Sequence, residues 1–170
     1  MHRYMIRSIA LLVLCAGPYG LARAQDMPSR KSGLWEIVMT MPGGPMPPQQ
    51  MKMCIDPATD AAMYKLGSNA GQEMCDKREV KRTGSTLTVD AECKLGDART
   101  SSHSVTTFTG DSAYHTDITT KFDPPVAGQA GSTMVQEAKW TGPCSADMQP
   151  GDVTMANGMK VNIKQMLGGK

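Results

Sequence analysis

The chain has 170 residues, 40 % of them hydrophobic but only 5 % aromatic, and a formal net charge of +2. That length fits one domain with room for a tail and excludes a multidomain enzyme. The basic excess sits in residues 1–24, where Arg3, Arg7 and Arg23 meet no acid; beyond them 15 basic residues face 16 acidic ones, which is not the footprint of a nucleic-acid binder.

Residues 1–24 follow the order of a secretory signal. His2, Arg3 and Arg7 precede an apolar run over 9–16, and Ala22-Arg23-Ala24 precedes Gln25. Export and cleavage require that order, and the apolar run is too short to span a bilayer. Cleavage is expected after Ala24, giving a soluble periplasmic protein. The rival reading is a lipoprotein anchored through Cys15, but Leu14 stands where a small residue belongs. No later segment is long and apolar enough to cross a membrane. With the signal removed, Cys54, Cys75, Cys93 and Cys144 remain. An oxidising compartment points to two disulfides, with three connectivities open. A structural zinc site is the alternative; no CxxC or HxxxH spacing supports it, and only His103 and His115 remain to complete one.

Residues 25–152 read as one β domain, with turn residues every 8–12 positions. Over 33–41, alternation sets Trp35, Ile37, Met39 and Met41 on one face and Leu34, Glu36, Val38 and Thr40 on the other. The stretch 42–48, PGGPMPP, cannot continue a ladder. A second strand over 49–55 puts Met51, Met53 and Ile55 on one face. Asp56 as N-cap and Pro57 at the first helical position open the one good helix, expected over 58–66 and stopped by Gly67. Strands over 75–82 and 86–94 flank a three-residue loop, Thr83-Gly84-Ser85; strands over 102–109 and 112–122 flank a two-residue primed turn, Gly110-Asp111. Asp123-Pro124-Pro125 is expected to end that strand, with a small-residue loop over 126–131 and a last strand over 132–141. Residues 153–170 read as a polar tail with a short helix at 160–167.

The first hairpin allows a register argument. Centred on Gly84, it sets Cys75 opposite Cys93, Glu79 opposite Val89 and Arg78 opposite Asp90. The expected bridges are therefore Cys75–Cys93 and, by elimination, Cys54–Cys144. Leu87, Val89 and Ala91 share the cysteine face, which is thus the inner one. The strand CDKREVKR carries the charge of an edge that resists unwanted pairing. The core is thin: Leu, Ile, Val and Phe number 19 beyond residue 24, about 13 %. Thirteen methionines there enlarge the apolar inventory and fill irregular gaps, and the disulfides are expected to decide whether the chain folds.

Four stretches, GLWEIV from Gly33, MTMPGGPMPPQQ from Met39, MKMCID from Met51 and WTGPCSADMQPGD from Trp140, together resemble one family. It is the bacterial exported family catalogued as domain of unknown function 3617, and the resemblance covers roughly residues 32–152. It implies Trp35 on the first strand, structural cysteines at Cys54, Cys75, Cys93 and Cys144, and a Gly-x-Cys close at Gly142–Cys144. It implies no catalytic residues.

Methionine clustering is the most specific chemical signal. Met39, Met41, Met51 and Met53, with Met46 in the loop between them, are the candidates for a soft Cu(I) or Ag(I) site. Core filling is the preferred reading, so no metal and no cofactor is expected. In the expected register His103 and His115 lie on opposite faces and share no ion, while His115 and Asp117 share one. No nucleophile elbow, HExxH helix or phosphate-cradling loop is present. Gly33-x-Trp35 resembles the first-strand motif of lipocalin-type barrels, and the Thr/Ser-rich faces at 106–109 and 116–120 are expected to meet solvent. The fold expected is a mainly β, curved antiparallel meander of about seven strands with one short helix and two disulfides, closure into a barrel being open. The function expected is a non-enzymatic periplasmic module that binds an unknown ligand or envelope partner. A methionine-based Cu(I)/Ag(I) handler and a small hydrolase with an unrecognised site are the alternatives.

Overall fold

The computed structural model describes residues 28–168 other than Pro45; the expected signal, its cleavage after Ala24 and the rival anchor at Cys15 lie outside them. In chain order the elements are β1 (Gly33–Thr40), β2 (Gln49–Ile55), α1 (Pro57–Met74), β3 (Cys75–Thr83), β4 (Thr86–Leu95), β5 (Ala98–Thr109), β6 (Ala113–Val126), β7 (Gln129–Gly142), β8 (Asp152–Thr154), β9 (Lys160–Asn162) and α2 (Ile163–Gly168). They form one antiparallel sheet in the order β3-β4-β5-β6-β7-β1-β2-β8-β9. Strands β3 to β7 are the expected meander, and the β1–β2 hairpin lies beside β7. The charged strand β3 is an edge, as expected, and β9 is the other. The sheet is therefore open and not a barrel.

Nine strands stand where about seven were expected because the stretch expected as a polar tail supplies, over its described residues, two short strands. β8 pairs with β2, setting Val153 opposite Met53, and β9 pairs with β8. Val153 is 6 % exposed and joins Trp35, Ile37, Met53, Ile55 and Ala138 in the core. The expected helix at 160–167 gives its first three residues to β9 and keeps the rest as α2. Alternation on β1 places Trp35 and Ile37 inward as expected. Gly33 has φ +132°, and a Cβ there would run into the Gly142 carbonyl oxygen, so glycine is what lets β1 cross so close to the end of β7.

At the start of α1 the Asp56 carboxylate accepts from the Thr59 backbone N–H at 2.7 Å and from the Thr59 hydroxyl, and pairs with Lys164 at 3.0 Å. These bonds hold its pKa at about 2, against 3.8 ordinarily. The helix does not stop at Gly67 but runs 18 residues to Met74. One glycine costs a helix only about 1 kcal/mol, and the chain enters β3 directly at Cys75. Both expected disulfides are present, Cys54–Cys144 spanning 90 residues and Cys75–Cys93 spanning 18. α1 thus lies between two bonded cysteines.

The turns differ from expectation by one residue each. The first hairpin turns on Gly84-Ser85 alone, with Thr83 opposite Thr86, so Glu79 faces Asp90 and Arg78 faces Ala91. A register shift between Cys75 and Lys77, at Asp76, brings Cys75 back opposite Cys93. The second hairpin uses three residues, Gly110-Asp111-Ser112, with Thr109 opposite Ala113. Outside donors hold that longer loop: Lys31 N–H bonds the Asp111 carbonyl and Trp140 N–H the Ser112 carbonyl. Nor does Asp123-Pro124-Pro125 end β6. An irregularity between Lys121 and Val126 absorbs the prolines, and the chain turns at Ala127-Gly128 into β7.

Candidate functional site

The corrected register decides what faces what. On β5 and β6 the even-numbered residues point to the face that carries the core, so Phe108 lies opposite Tyr114 and Thr106 opposite Thr116. Thr116 is 6 % exposed, and its hydroxyl meets that of Thr106 at 2.9 Å. Half of the Thr/Ser positions expected in solvent are thus turned inward. Thr107, Thr109 and Thr119 face outward.

Between this inner face and the first half of α1 lies a cleft of about 770 Å³. Phe108, Tyr114, Met63 and Tyr64 supply much of its apolar wall. Tyr114 stacks obliquely between Phe108 and Trp35, with ring centroids 5.8 and 5.9 Å away. The segment before β1 closes one side because two indoles hold it: Trp35 Nε1–H bonds the Lys31 carbonyl at 2.8 Å and Trp140 Nε1–H the Ser32 carbonyl at 2.9 Å. Arg30 then reaches α1. Its Nε donates to Asp60 Oδ1 at 2.8 Å, its terminal nitrogen lies 2.7 Å from the same oxygen, and its backbone N–H donates to Oδ2 at 3.1 Å. The two side chains are 13 % and 18 % exposed, so the pair forms part of the wall rather than the surface. Its guanidinium also lies 5.8 Å from the Trp35 ring centroid.

Tyr114 brings a hydroxyl into this wall, where it accepts a bond from Gln136 Nε2 at 3.5 Å. Burial raises its pKa above the ordinary phenol value, with Arg30 acting in the opposite sense. The phenol is a neutral donor at any physiological pH. An apolar wall with a few fixed polar groups and a volume in this range is the usual make-up of a small-molecule site.

The candidates named from the sequence lie elsewhere. Met53 is buried in the core, Met39 and Met51 pack half-buried against it, and core packing is what the structure supports for these three. Met41 and Met46 line a separate hollow at the β1–β2 connection, together with Thr119–Thr120 and Ser132–Thr133, and Met46 is 53 % exposed. The five thioethers are therefore not gathered at one point. His103 and His115 share the outer face, contrary to expectation, because the second turn has one residue more. They stand opposite Thr119 and Thr107, about 13 Å apart along the strand. His115 lies 2.5 Å from Glu137 and 3.0 Å from Asp117, and these two carboxylates raise its pKa. His103 contacts Asp90 at 2.6 Å. A second hollow, of about 460 Å³, opens near the β3 edge between Lys77, Glu79, Asp90, His103 and Lys121. It holds the His103–Asp90 contact, and it lacks the apolar wall of the cleft under α1. Among the described residues no group of three or more His, Cys, Asp and Glu is placed to hold a metal ion.

Arg30, Asp60, Phe108, Tyr114 and Gln136 were not singled out from the sequence. Phe108 and Tyr114 carried a findable signal, a cross-strand aromatic pair, visible once the loop is given three residues. Arg30 and Asp60 carried none, since one precedes the first strand and the other sits in a helix with no pattern joining them.

The family model for "Protein of unknown function (DUF3617)" matches residues 30–144. No curated protein matches the chain, and no solved structure does. The matched span holds β1 to β7, α1, all four bonded cysteines and every residue of the Arg30–Asp60–Tyr114–Gln136 cluster. Over more than half of its length the chain fits this family, and it belongs to DUF3617.

Proposed function

We propose that the protein is an exported, periplasmic, non-enzymatic binding module whose ligand lies in the cleft between α1 and the inner face of the sheet. The cleft itself carries the reading: 770 Å³, walled by Phe108, Tyr114 and Met63, with the Arg30–Asp60 pair and Gln136 as fixed polar groups. Both oxygens of Asp60 are engaged by Arg30, which suits a structural carboxylate better than a general base. Export is supported by the two disulfides, which form and persist in oxidising compartments, and by the signal-like order of residues 1–24, with cleavage after Ala24. No helix among the described residues is long and apolar enough to cross a membrane.

Fluorescence titration with the neutral probe N-phenyl-1-naphthylamine tests the cleft, using oxidised protein recovered after export. Saturable binding of one probe per chain is expected, weakened about tenfold or more by Phe108→Asp, which places a carboxylate in the apolar wall. Tyr64→Asp, at the more exposed rim, is the second variant should the first fail to fold. Lys77→Gln, on the outer face, should leave binding as it was. Absence of saturable binding, or binding indifferent to both cleft variants in folded protein, would overturn the reading. Mass spectrometry of the same sample should find Gln25 as the first residue.

A further inference from the structure

We infer that the Cys75–Cys93 disulfide is a redox-responsive site, opened in the folded protein by thiol–disulfide exchange with a dithiol while Cys54–Cys144 stays closed. Access to the sulfurs, the setting of the leaving thiolate and a break in the β3–β4 ladder carry the inference.

The two bridges have different surroundings. Exchange puts one sulfur of the bridge into a mixed disulfide and releases the other as a thiolate, so access and the setting of the leaving sulfur both count. Cys54 is 0 % exposed, in chain between Met53 and Ile55 of the core, and its partner Cys144 is half-buried. Attack at Cys144 would release the thiolate on Cys54, in apolar surroundings where desolvation disfavours the charge. Cys75 and Cys93 are both half-buried, on the edge strand β3 and its neighbour β4, and their chain neighbours Met74, Asp76, Glu92 and Lys94 are exposed. Cys93 also lines a hollow of about 310 Å³ whose other walls are mostly polar or charged, Arg99, Thr100, Ser101 and Lys121 among them. An attacking thiolate therefore reaches Cys93 from water, and the thiolate left on Cys75 stays near water.

The exchange is a two-electron reduction. One thiolate of the dithiol attacks Cys93 Sγ, the S–S bond breaks, a mixed disulfide forms, and Cys75 leaves as a thiolate that takes a proton. The second thiolate of the dithiol attacks the mixed disulfide and closes the reductant's own disulfide. Cys93 is released and protonated, so the protein gains two electrons and two protons and the dithiol loses as many.

Opening this bridge acts on α1. The helix runs into β3 at Cys75 with no linker, and the β3–β4 ladder shifts register between Cys75 and Lys77. Beyond that shift Cys75 is held to β4 by its pairing with Cys93 and by the covalent bond. Among the described strands β3 pairs with β4 alone. α1 also carries Gly67 and Gly71, each costing a helix about 1 kcal/mol. The bridge is thus the clamp on the end of α1, and the reduced protein loosens there first.

Reduction without denaturant tests both parts. Oxidised protein recovered after export is incubated with dithiothreitol, quenched with N-ethylmaleimide at intervals and mapped by mass spectrometry. Cys75 and Cys93 should be alkylated about tenfold or more faster than Cys54 and Cys144, and the difference should vanish in unfolding concentrations of urea. In the species opened at Cys75–Cys93 alone, hydrogen exchange should rise over the last turn of α1 and the start of β3, and stay as it was in β6 and β7. Replacing the dithiol by oxidised glutathione before the quench should close the bridge and restore protection. Comparable rates for the two bridges, or earlier opening of Cys54–Cys144, would overturn the inference. So would loss of both bridges together with no singly opened species, since global unfolding would then carry the reaction. A preference that persists in urea would overturn it too, because it would owe nothing to the fold. Exchange unchanged at the end of α1, or a bridge that does not close again, would overturn the clamp.

Discussion

Asp56 ties the start of α1 to two other parts of the chain, the Thr59 backbone and side chain behind it and Lys164 in α2. Because its folded pKa, about 2, lies below its ordinary 3.8, the stability it contributes is present above that ordinary value and is lost as pH falls toward 2. Asp56→Ala should cost about 0.5–2 kcal/mol at neutral pH, as loss of a cap does. Urea midpoints of the two proteins should converge as pH falls from about 4 to about 2. A gap that persists at the acid end would assign the loss to something other than the ionised cap. The methionines divide at this same scale. Met53→Ala should cost roughly 2–5 kcal/mol, as truncation of a buried methionine does, while Met46→Ala should stay within about 0.5. Equal midpoints for the two variants would remove the distinction between core and surface thioethers. The roles of Trp35, Ile37, Met53 and Asp56 were legible because each follows from a local rule, period-two alternation or a helix cap. Arg30 and Asp60 were illegible because their contact spans two segments that only the tertiary fold brings together.

At the scale of elements, the unpredictable quantity was one residue per turn. Gly84-Ser85 and Gly110-Asp111-Ser112 exchanged the lengths expected of them, and a one-residue change moves every side-chain partner along the ladder. In the first hairpin the shift at Asp76 restored the cysteine pairing, so the expected bridge is present although the expected neighbours of Arg78 and Glu79 are not. In the second nothing compensated, and both histidines came to one face while Thr116 went inward. Turn lengths were hidden because the donors that hold the second loop, Lys31 and Trp140, lie far away in sequence. The carboxy-terminal strands were missed for a related reason: three-residue strands have too few positions to show alternation. Val153 measures their importance. Val153→Ala should cost about 1.5–3 kcal/mol, since the side chain is buried against the core. A denaturant midpoint unchanged by this substitution would mean that β8 lies on the domain without supporting it.

For the whole molecule, a small aliphatic core is combined with two covalent links. In the chain-entropy picture the bridge over 90 residues contributes about 4–5 kcal/mol and that over 18 about 3, each comparable with a large share of a domain's net stability. Replacing Cys54 and Cys144 by serine should therefore lower the denaturant midpoint more than replacing Cys75 and Cys93. The reverse order would place the larger effect on native packing around the hairpin instead. Overall class, one antiparallel β domain with two disulfides, was readable from composition, turn spacing and cysteine count, whereas openness of the sheet was not, since closure depends on whether two distant edges meet. The position of α1 between Cys54 and Cys75 has a consequence for how the protein survives damage. Seen as a graph of covalent links, the polypeptide contains one ring closed at Cys54 and Cys144, with the smaller ring of Cys75 and Cys93 inside it. The helix over the cleft is part of the outer ring's circumference. A protease that severs one peptide bond after Lys65 opens the ring without dividing the molecule, so the product should be one water heavier and still a single species until a reductant is added. Two separate fragments without reductant would show that the outer link had not formed.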